Sequence, residues 1–163
     1  MEPKVYTPPL GHAALTPLYD VAIRYLTREK TWRSALIRQI DLKSEDCLLD
    51  VGCGTGSLLI DLAKTCPDAR LVGIDPDEQA LAVARAKARE AGVFIEFSPG
   101  FLDSAELPRE QRPNKIASSL MFHQVPYAEK SNIVDQMRGL LAVGGEIHVA
   151  DYALQKSRMM RAA

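Results

Sequence analysis

Residues Leu49-Asp50-Val51-Gly52-Cys53-Gly54-Thr55-Gly56 set three glycines at alternate positions, straight after a short apolar run and before a helical one. Glycine lacks the Cβ that makes positive φ costly, so this spacing lets a backbone turn sharply and approach a bound molecule closely. The chain must accommodate a strand, a tight loop and a helix in that order, which is how a βαβ unit begins. A glycine cluster alone is equally compatible with a plain strand-to-helix turn. Its surroundings add a second element: nineteen residues after Gly56, at the end of the apolar run Leu71-Val72-Gly73-Ile74, stands Asp75. An acidic side chain about 20 residues beyond such a loop can accept hydrogen bonds from ribose hydroxyls. The pair points to a cofactor containing adenosine.

The glycine spacing narrows the choice. Dinucleotide folds use G-x-G-x-x-G to bring a helix N-terminus onto pyrophosphate, whereas here the third glycine comes one residue early, which disfavours NAD. Asp50 adds negative charge where pyrophosphate would be repelled and a cation attracted. A ligand bearing an ammonium and a sulfonium suits that charge better.

Around this unit, apolar runs alternate with helical segments, the signature of an α/β fold. Strands are expected at 47–51, 71–75, 93–97, 116–122 and 146–151, with helices after the glycine loop, over 76–91, closed by Gly92, and over 128–141. Apolar residues at three- and four-residue steps between Pro17 and Ile40, broken near Thr27 to Thr31, predict two N-terminal helices. Three prolines and a glycine before residue 12 predict an irregular lead-in. The expected organisation is one compact domain, residues 1–40 forming lead-in and lid helices and 41–163 a Rossmann-like core. That core is a doubly wound, mostly parallel sheet of about five strands, because parallel neighbours need helical crossovers. Ligands of such sheets bind beyond the carboxyl ends of the strands. Arg85, Lys87 and Arg89 are read as a solvated helix face.

Composition removes several classes of function. With 20 Lys+Arg against 21 Asp+Glu there is no positive excess to neutralise phosphates along nucleic acid. No run approaches the ~20 apolar residues of a membrane span, and the first residues lack a secretory signal, so a cytoplasmic chain is expected. Cys47, Cys53 and Cys66 are odd in number and show no CxxC spacing, so no disulfide framework and no metal site is expected.

Three segments together resemble one family. Leu49 to Gly56 resembles motif I of the class I S-adenosylmethionine-dependent methyltransferases, Val72 to Asp77 resembles their second motif, and Leu140 to Asp151 resembles their fifth strand and its preceding turn. Tyr19-Asp20, Thr31-Trp32-Arg33 and the run Ser118 to Gln124 look like the small-molecule branch that includes ubiquinone- and menaquinone-biosynthesis methyltransferases. The resemblance covers roughly residues 15–153. It implies S-adenosyl-L-methionine as cofactor, S-adenosyl-L-homocysteine as product and a small-molecule substrate. It also implies a cofactor site from Asp50, Gly52, Cys53, Gly54, Gly56, Asp75, Pro76, Phe101, Leu102, Asp103 and Ser118. In that site the glycines line the methionine part, Asp75 holds the ribose, Asp50 acts through the ammonium and Asp103 faces the adenine, on which Phe101 or Leu102 packs.

The sequence departs from the family in three places. Asn114 stands where an aspartate is usual, which is expected to weaken that part of the site, and Val143 replaces a proline, which is expected to be harmless. Twelve residues after Asp151 are too few for the family's sixth and seventh strands. The sheet edge left open would need a cover, either the tail or a second copy in a homodimer.

Methyl transfer from a sulfonium requires alignment and exclusion of water more than acid–base work. His123, at the end of the fourth strand, is the candidate general base, and Tyr19, on the lid, the candidate donor to substrate or cofactor. Each has a plainer reading: a histidine that merely hydrogen-bonds, and a tyrosine that packs the lid. Trp32 is read as core, Arg24 and Arg33 as solvated or pairing with an anionic substrate, His12 and His148 as structural, and Cys53 as small filling in the loop. The competing functional reading is a non-catalytic or truncated cofactor-binding module that keeps the nucleotide pocket.

Overall fold

The computed structural model describes residues 29–103 and 112–151. Five strands form one sheet: β1 Cys47–Val51, β2 Arg70–Asp75, β3 Glu96–Pro99, β4 Lys115–Ser119 and β5 Glu146–Ala150. Among the described residues four α-helices accompany them: α1 Glu29–Ile40, α2 Ser57–Thr65, α3 Glu78–Ala91 and α4 Tyr127–Leu140. The strand order is β3-β2-β1-β4-β5 and every pairing is parallel. This is the expected Rossmann-like, doubly wound architecture. Winding runs outward from β1 through β2 to β3, then restarts at β4 on the other side, so the switch point lies between the carboxyl ends of β1 and β4.

A central parallel strand is covered on both faces, which is why β1 is buried at all five positions. Alternation divides its side chains. Leu48 packs with Leu36 and Ile40 of α1 and Leu58, Leu59 and Leu62 of α2. Leu49 and Val51 pack with Val72, Ile74, Ile116, Phe122 and Met137 of α4. Helix α3 is held at both ends: the Asp77 carboxylate accepts the N–H groups of Gln79 and Ala80, and Gly92 closes it at φ 67°.

Two strands differ from the sequence expectation by more than one residue. The third begins at Glu96 rather than Val93, because the N–H of Val93 still bonds the carbonyl of Ala88 in the exit of α3, leaving Phe94 at the surface. The fourth stops at Ser119 rather than Phe122: Leu120 takes φ 54°, and Phe122–Gln124 form a 3₁₀ turn. Of the two N-terminal helices, the second is α1; the first, with Tyr19, His12 and Arg24, lies outside the described residues.

Asn114 has a different part from the one expected. Its Oδ1 accepts the N–H of Cys47 at 2.8 Å and its Nδ2 donates to Asp46 Oδ1 at 2.6 Å. It clamps the amino ends of β1 and β4, the end of the sheet opposite the glycine loop. Val143 is fully exposed in the turn before β5. No helix among the described residues is long and apolar enough to cross a membrane.

Candidate active site

Asp50 is the polar residue within β1. It is 1% exposed, and neither carboxylate oxygen has a hydrogen-bond partner among the described residues. Burial, reinforced by the nearby charge of Asp75, pushes its carboxyl up to about 7, while the Arg33 guanidinium pulls the other way. Arg33 is correspondingly not a solvated residue. It reaches in from α1 at 17% side-chain exposure, lies 5.6 Å from the Trp32 ring centre and holds Asp61 at 3.5 Å. Trp32 itself packs against the core.

Directly after Asp50 the backbone makes the turn that the glycines permit, with φ 73°, 52° and 73° at Gly52, Gly54 and Gly56. A Cβ on Gly52 would sit 2.5 Å from Cγ of Met121, so the segment following β4 closes onto this loop. A Cβ on Gly54 would meet nothing within 4 Å, which marks the open side of the loop. The N–H groups of Gly52 and Cys53 both donate to the carbonyl of Ile74. Cys53 fills the space beside Gly73, and burial raises its thiol well above the ordinary range, which makes it an inert packing group. No side chain caps α2, whose first residues therefore present backbone N–H groups beside the loop.

Asp75 ties this loop to the neighbouring turn. Its Oδ2 accepts the N–H of Gly54 and its Oδ1 the N–H of Asp77, both at 2.8 Å. Burial raises its carboxyl, and these two bonds oppose the rise. Each oxygen has a second lone pair for a ligand hydroxyl. The carbonyl of Asp75 accepts the N–H of Gly100 at 3.0 Å, which brings the segment after β3 alongside: Phe101 and Leu102 are half-buried there and Asp103 is exposed. Pro76 is half-buried at the same corner. Ser118 is fully buried, and its hydroxyl donates to the carbonyl of Val51 at 2.8 Å, so its contact is with the strand behind the loop.

His123 lies past the carboxyl end of β4, two residues after Met121. Its Nδ1 is 2.9 Å from Oδ1 of Asp151, and its backbone N–H donates to Oδ2 of the same carboxylate at 3.0 Å. His148 is elsewhere, buried in β5, where burial lowers its pKa. Sequence reasoning brought Asp50, the glycines and Asp75 together but missed Met121 and Asp151, and it set Arg33 in solvent or against an anionic substrate rather than near Asp50. Neither did it foresee Lys87, whose ammonium donates to Thr55 Oγ1 and Ser57 Oγ at the loop, nor Arg85, which reaches the Phe97 carbonyl; that helix face is only partly solvated. No cluster of side chains able to hold a metal ion occurs among the described residues.

The chain is similar to known proteins in sequence and in fold. The family described as "Methyltransferase domain" matches residues 48–145. A demethylmenaquinone methyltransferase of Deinococcus radiodurans is 35% identical over 86% of this chain and 58% of its own length. A probable fatty acid methyltransferase of Pseudomonas putida is 32% identical over 68% of this chain and 28% of its own length. The chain thus spans less than two thirds of the curated relatives it matches. Among solved structures, a SAM-dependent methyltransferase from Geobacter sulfurreducens in complex with S-adenosyl-L-homocysteine has a TM-score of 0.61 at 22% identity, covering 77% of this chain and 50% of that one. The precorrin-6y C5,15-methyltransferase of Geobacter metallireducens has a TM-score of 0.60 at 19% identity, covering 80% and 66%. At such identities the likeness is one of fold.

Proposed function

Because the chain belongs to the class I S-adenosylmethionine-dependent methyltransferase family, we propose that it transfers the methyl group of S-adenosyl-L-methionine to a small-molecule nucleophile. The observation that carries the reading is the buried carboxylate of Asp50, which has no hydrogen-bond partner among the described residues. An unpaired buried charge is costly, and a ligand ammonium brought to it relieves that cost. The residues present fit the cofactor. Gly52, Gly54 and Gly56 offer bare backbone to its methionine part, Asp75 keeps lone pairs for ribose hydroxyls, and this reading assigns Phe101, Leu102 and Asp103, on the segment after β3, to the adenine. When bound, the cofactor supplies an electrophilic methyl. The chain's own work is to hold it against the loop, to exclude water with the segment around Met121, and to take up a proton on His123 where the nucleophile carries one.

Calorimetric titration with S-adenosyl-L-methionine, S-adenosyl-L-homocysteine and NAD tests this. Micromolar binding of the first two, lost in Asp75→Ala, is expected; a folded chain that binds neither, or prefers NAD, overturns it. A cytoplasmic location belongs to the same reading, since this methyl donor is an intracellular metabolite. So does a homodimer in which a second copy covers β5, whose pairing among the described residues is with β4 alone and whose Val149 is 48% exposed. Light scattering is expected to give the dimer mass, and a monodisperse monomer removes that part.

A further inference from the structure

The last paired residues of β4 and β5 are Ser119 and Ala150, and the N–H of Leu120 carries the ladder one step further onto the carbonyl of Ala150 at 2.8 Å. There the two chains part. Leu120 adopts φ 54°, a left-handed conformation costing a branched, non-glycine residue about 1–2 kcal/mol. The following 3₁₀ turn buries Phe122 in the core and points the chain back across the end of β5. Asp151, the first residue beyond β5, meets it with a side chain only 13% exposed. Both of its oxygens contact one residue: Oδ2 takes the backbone N–H of His123 at 3.0 Å and Oδ1 faces Nδ1 of the ring at 2.9 Å. A tie that merely closed the turn would need the first contact. The second sets the ring.

We propose that Asp151 is a positioning residue: it holds His123 as the Nδ1–H tautomer and so makes Nε2 the proton acceptor for a hydroxyl nucleophile of phenolic or enolic type. This rests on the methyl-transfer reading above. A carboxylate only accepts hydrogen bonds, so the 2.9 Å contact requires the proton on Nδ1, and the neutral ring then carries its lone pair on Nε2. The ring is 29% exposed, which keeps it within reach of a substrate. Met121, two residues before it, touches the glycine loop at Gly52, so the turn that carries His123 also borders the cofactor loop.

A base at this place serves a nucleophile that must shed a proton as it attacks. An amine attacks through a lone pair it already has and sheds its proton afterwards, whereas a neutral hydroxyl is a poor nucleophile until its proton is leaving. In the step, the substrate oxygen bonds to the methyl carbon as the carbon–sulfur bond breaks, and the electron pair of that bond stays on sulfur as a thioether. The hydroxyl proton passes to Nε2, and the imidazolium formed is stabilised by the Asp151 carboxylate.

The test is a long-range ¹H–¹⁵N correlation spectrum of the ¹⁵N-labelled, cofactor-free chain under conditions where the rings are neutral. His123 is expected as the Nδ1–H tautomer. In Asp151→Asn, whose amide can donate to Nδ1 while its oxygen keeps the backbone bond, it is expected to change to the Nε2–H tautomer. Affinity for S-adenosyl-L-homocysteine is expected to stay within about twofold of the unmodified chain, as befits a residue that acts through the ring. Nε2–H in the unmodified chain overturns the proposal, whether or not the variant folds, and so does a tautomer that Asp151→Asn leaves unchanged. Loss of cofactor binding in the unmodified chain would instead overturn the methyl-transfer reading, and the tautomer measurement would still judge Asp151.

Discussion

Asp50 couples cofactor binding to a proton, and the size of the coupling follows from its burial. An aspartate titrates near 3.8 when exposed and at about 7 here. That gap of about 3 units corresponds to roughly 4 kcal/mol in favour of the neutral form. Between those two pH values the folded chain holds a proton that the unfolded chain has released. The stability of the ligand-free chain therefore falls as pH rises from about 4 to about 7, and the loss is complete above that. A ligand ammonium placed at Asp50 reverses the preference and drives the proton off. With a midpoint at about 7, Asp50 gives up about 0.9 proton per ligand bound at pH 6 and about 0.1 at pH 8. Calorimetry in phosphate and in imidazole buffer measures this directly, because the apparent enthalpy changes with the ionisation enthalpy of the buffer in proportion to the protons released. Asp50→Asn should abolish the buffer dependence at pH 6 and weaken binding. It should also stabilise the ligand-free chain at pH 8 by about 1–3 kcal/mol, the full gap being reduced by the unpaired amide that Asn buries. Binding at pH 6 without proton release, or Asp50→Asn less stable than the unmodified chain at pH 8, refutes the reasoning.

Gly52→Ala should lower stability by about 1–3 kcal/mol in urea denaturation and weaken cofactor binding at least tenfold. Its Cβ would meet Met121 Cγ at 2.5 Å while its φ stays at 73°; an unchanged urea midpoint contradicts this. Asn114→Ala orphans the N–H of Cys47 and should cost about 1–3 kcal/mol while leaving cofactor affinity within about twofold, because the clamp lies at the opposite end of the sheet. A tenfold loss of affinity would place Asn114 in the site after all. Cys53, with its thiol raised by burial, should resist iodoacetamide at pH 8 in the native chain and react once the chain is unfolded, which peptide mass spectrometry can follow.

What the sequence made legible was whatever glycine spacing and hydrophobic period encode locally. The strand of Cys47–Val51, the loop after it and the acid at Asp75 are such features, and they carry the parallel α/β reading with them. The end of β4 was not legible. Ile116 to Phe122 reads as one strand despite the polar Ser118 and Ser119 in its middle, yet Phe122 is drawn into the core as part of a turn, and Leu120 takes φ 54°. Contacts across long separations were equally hidden. Asn114 and Cys47 lie 67 residues apart, and His123 and Asp151 lie 28 apart; no local period relates either pair. Lys87, expected on a solvated helix face, instead extends its long side chain to the hydroxyls of Thr55 and Ser57.

The central claim is that the turn after β1 and the end of β2 hold S-adenosyl-L-methionine through Asp50 and Asp75. A crystal structure of the chain with S-adenosyl-L-homocysteine tests it most directly. The account predicts the ligand's amino group facing the Asp50 carboxylate, its methionine part along Gly52, Gly54 and Gly56, and its ribose hydroxyls on Asp75. A ligand seated elsewhere, or one that leaves Asp50 buried without a partner, would contradict it.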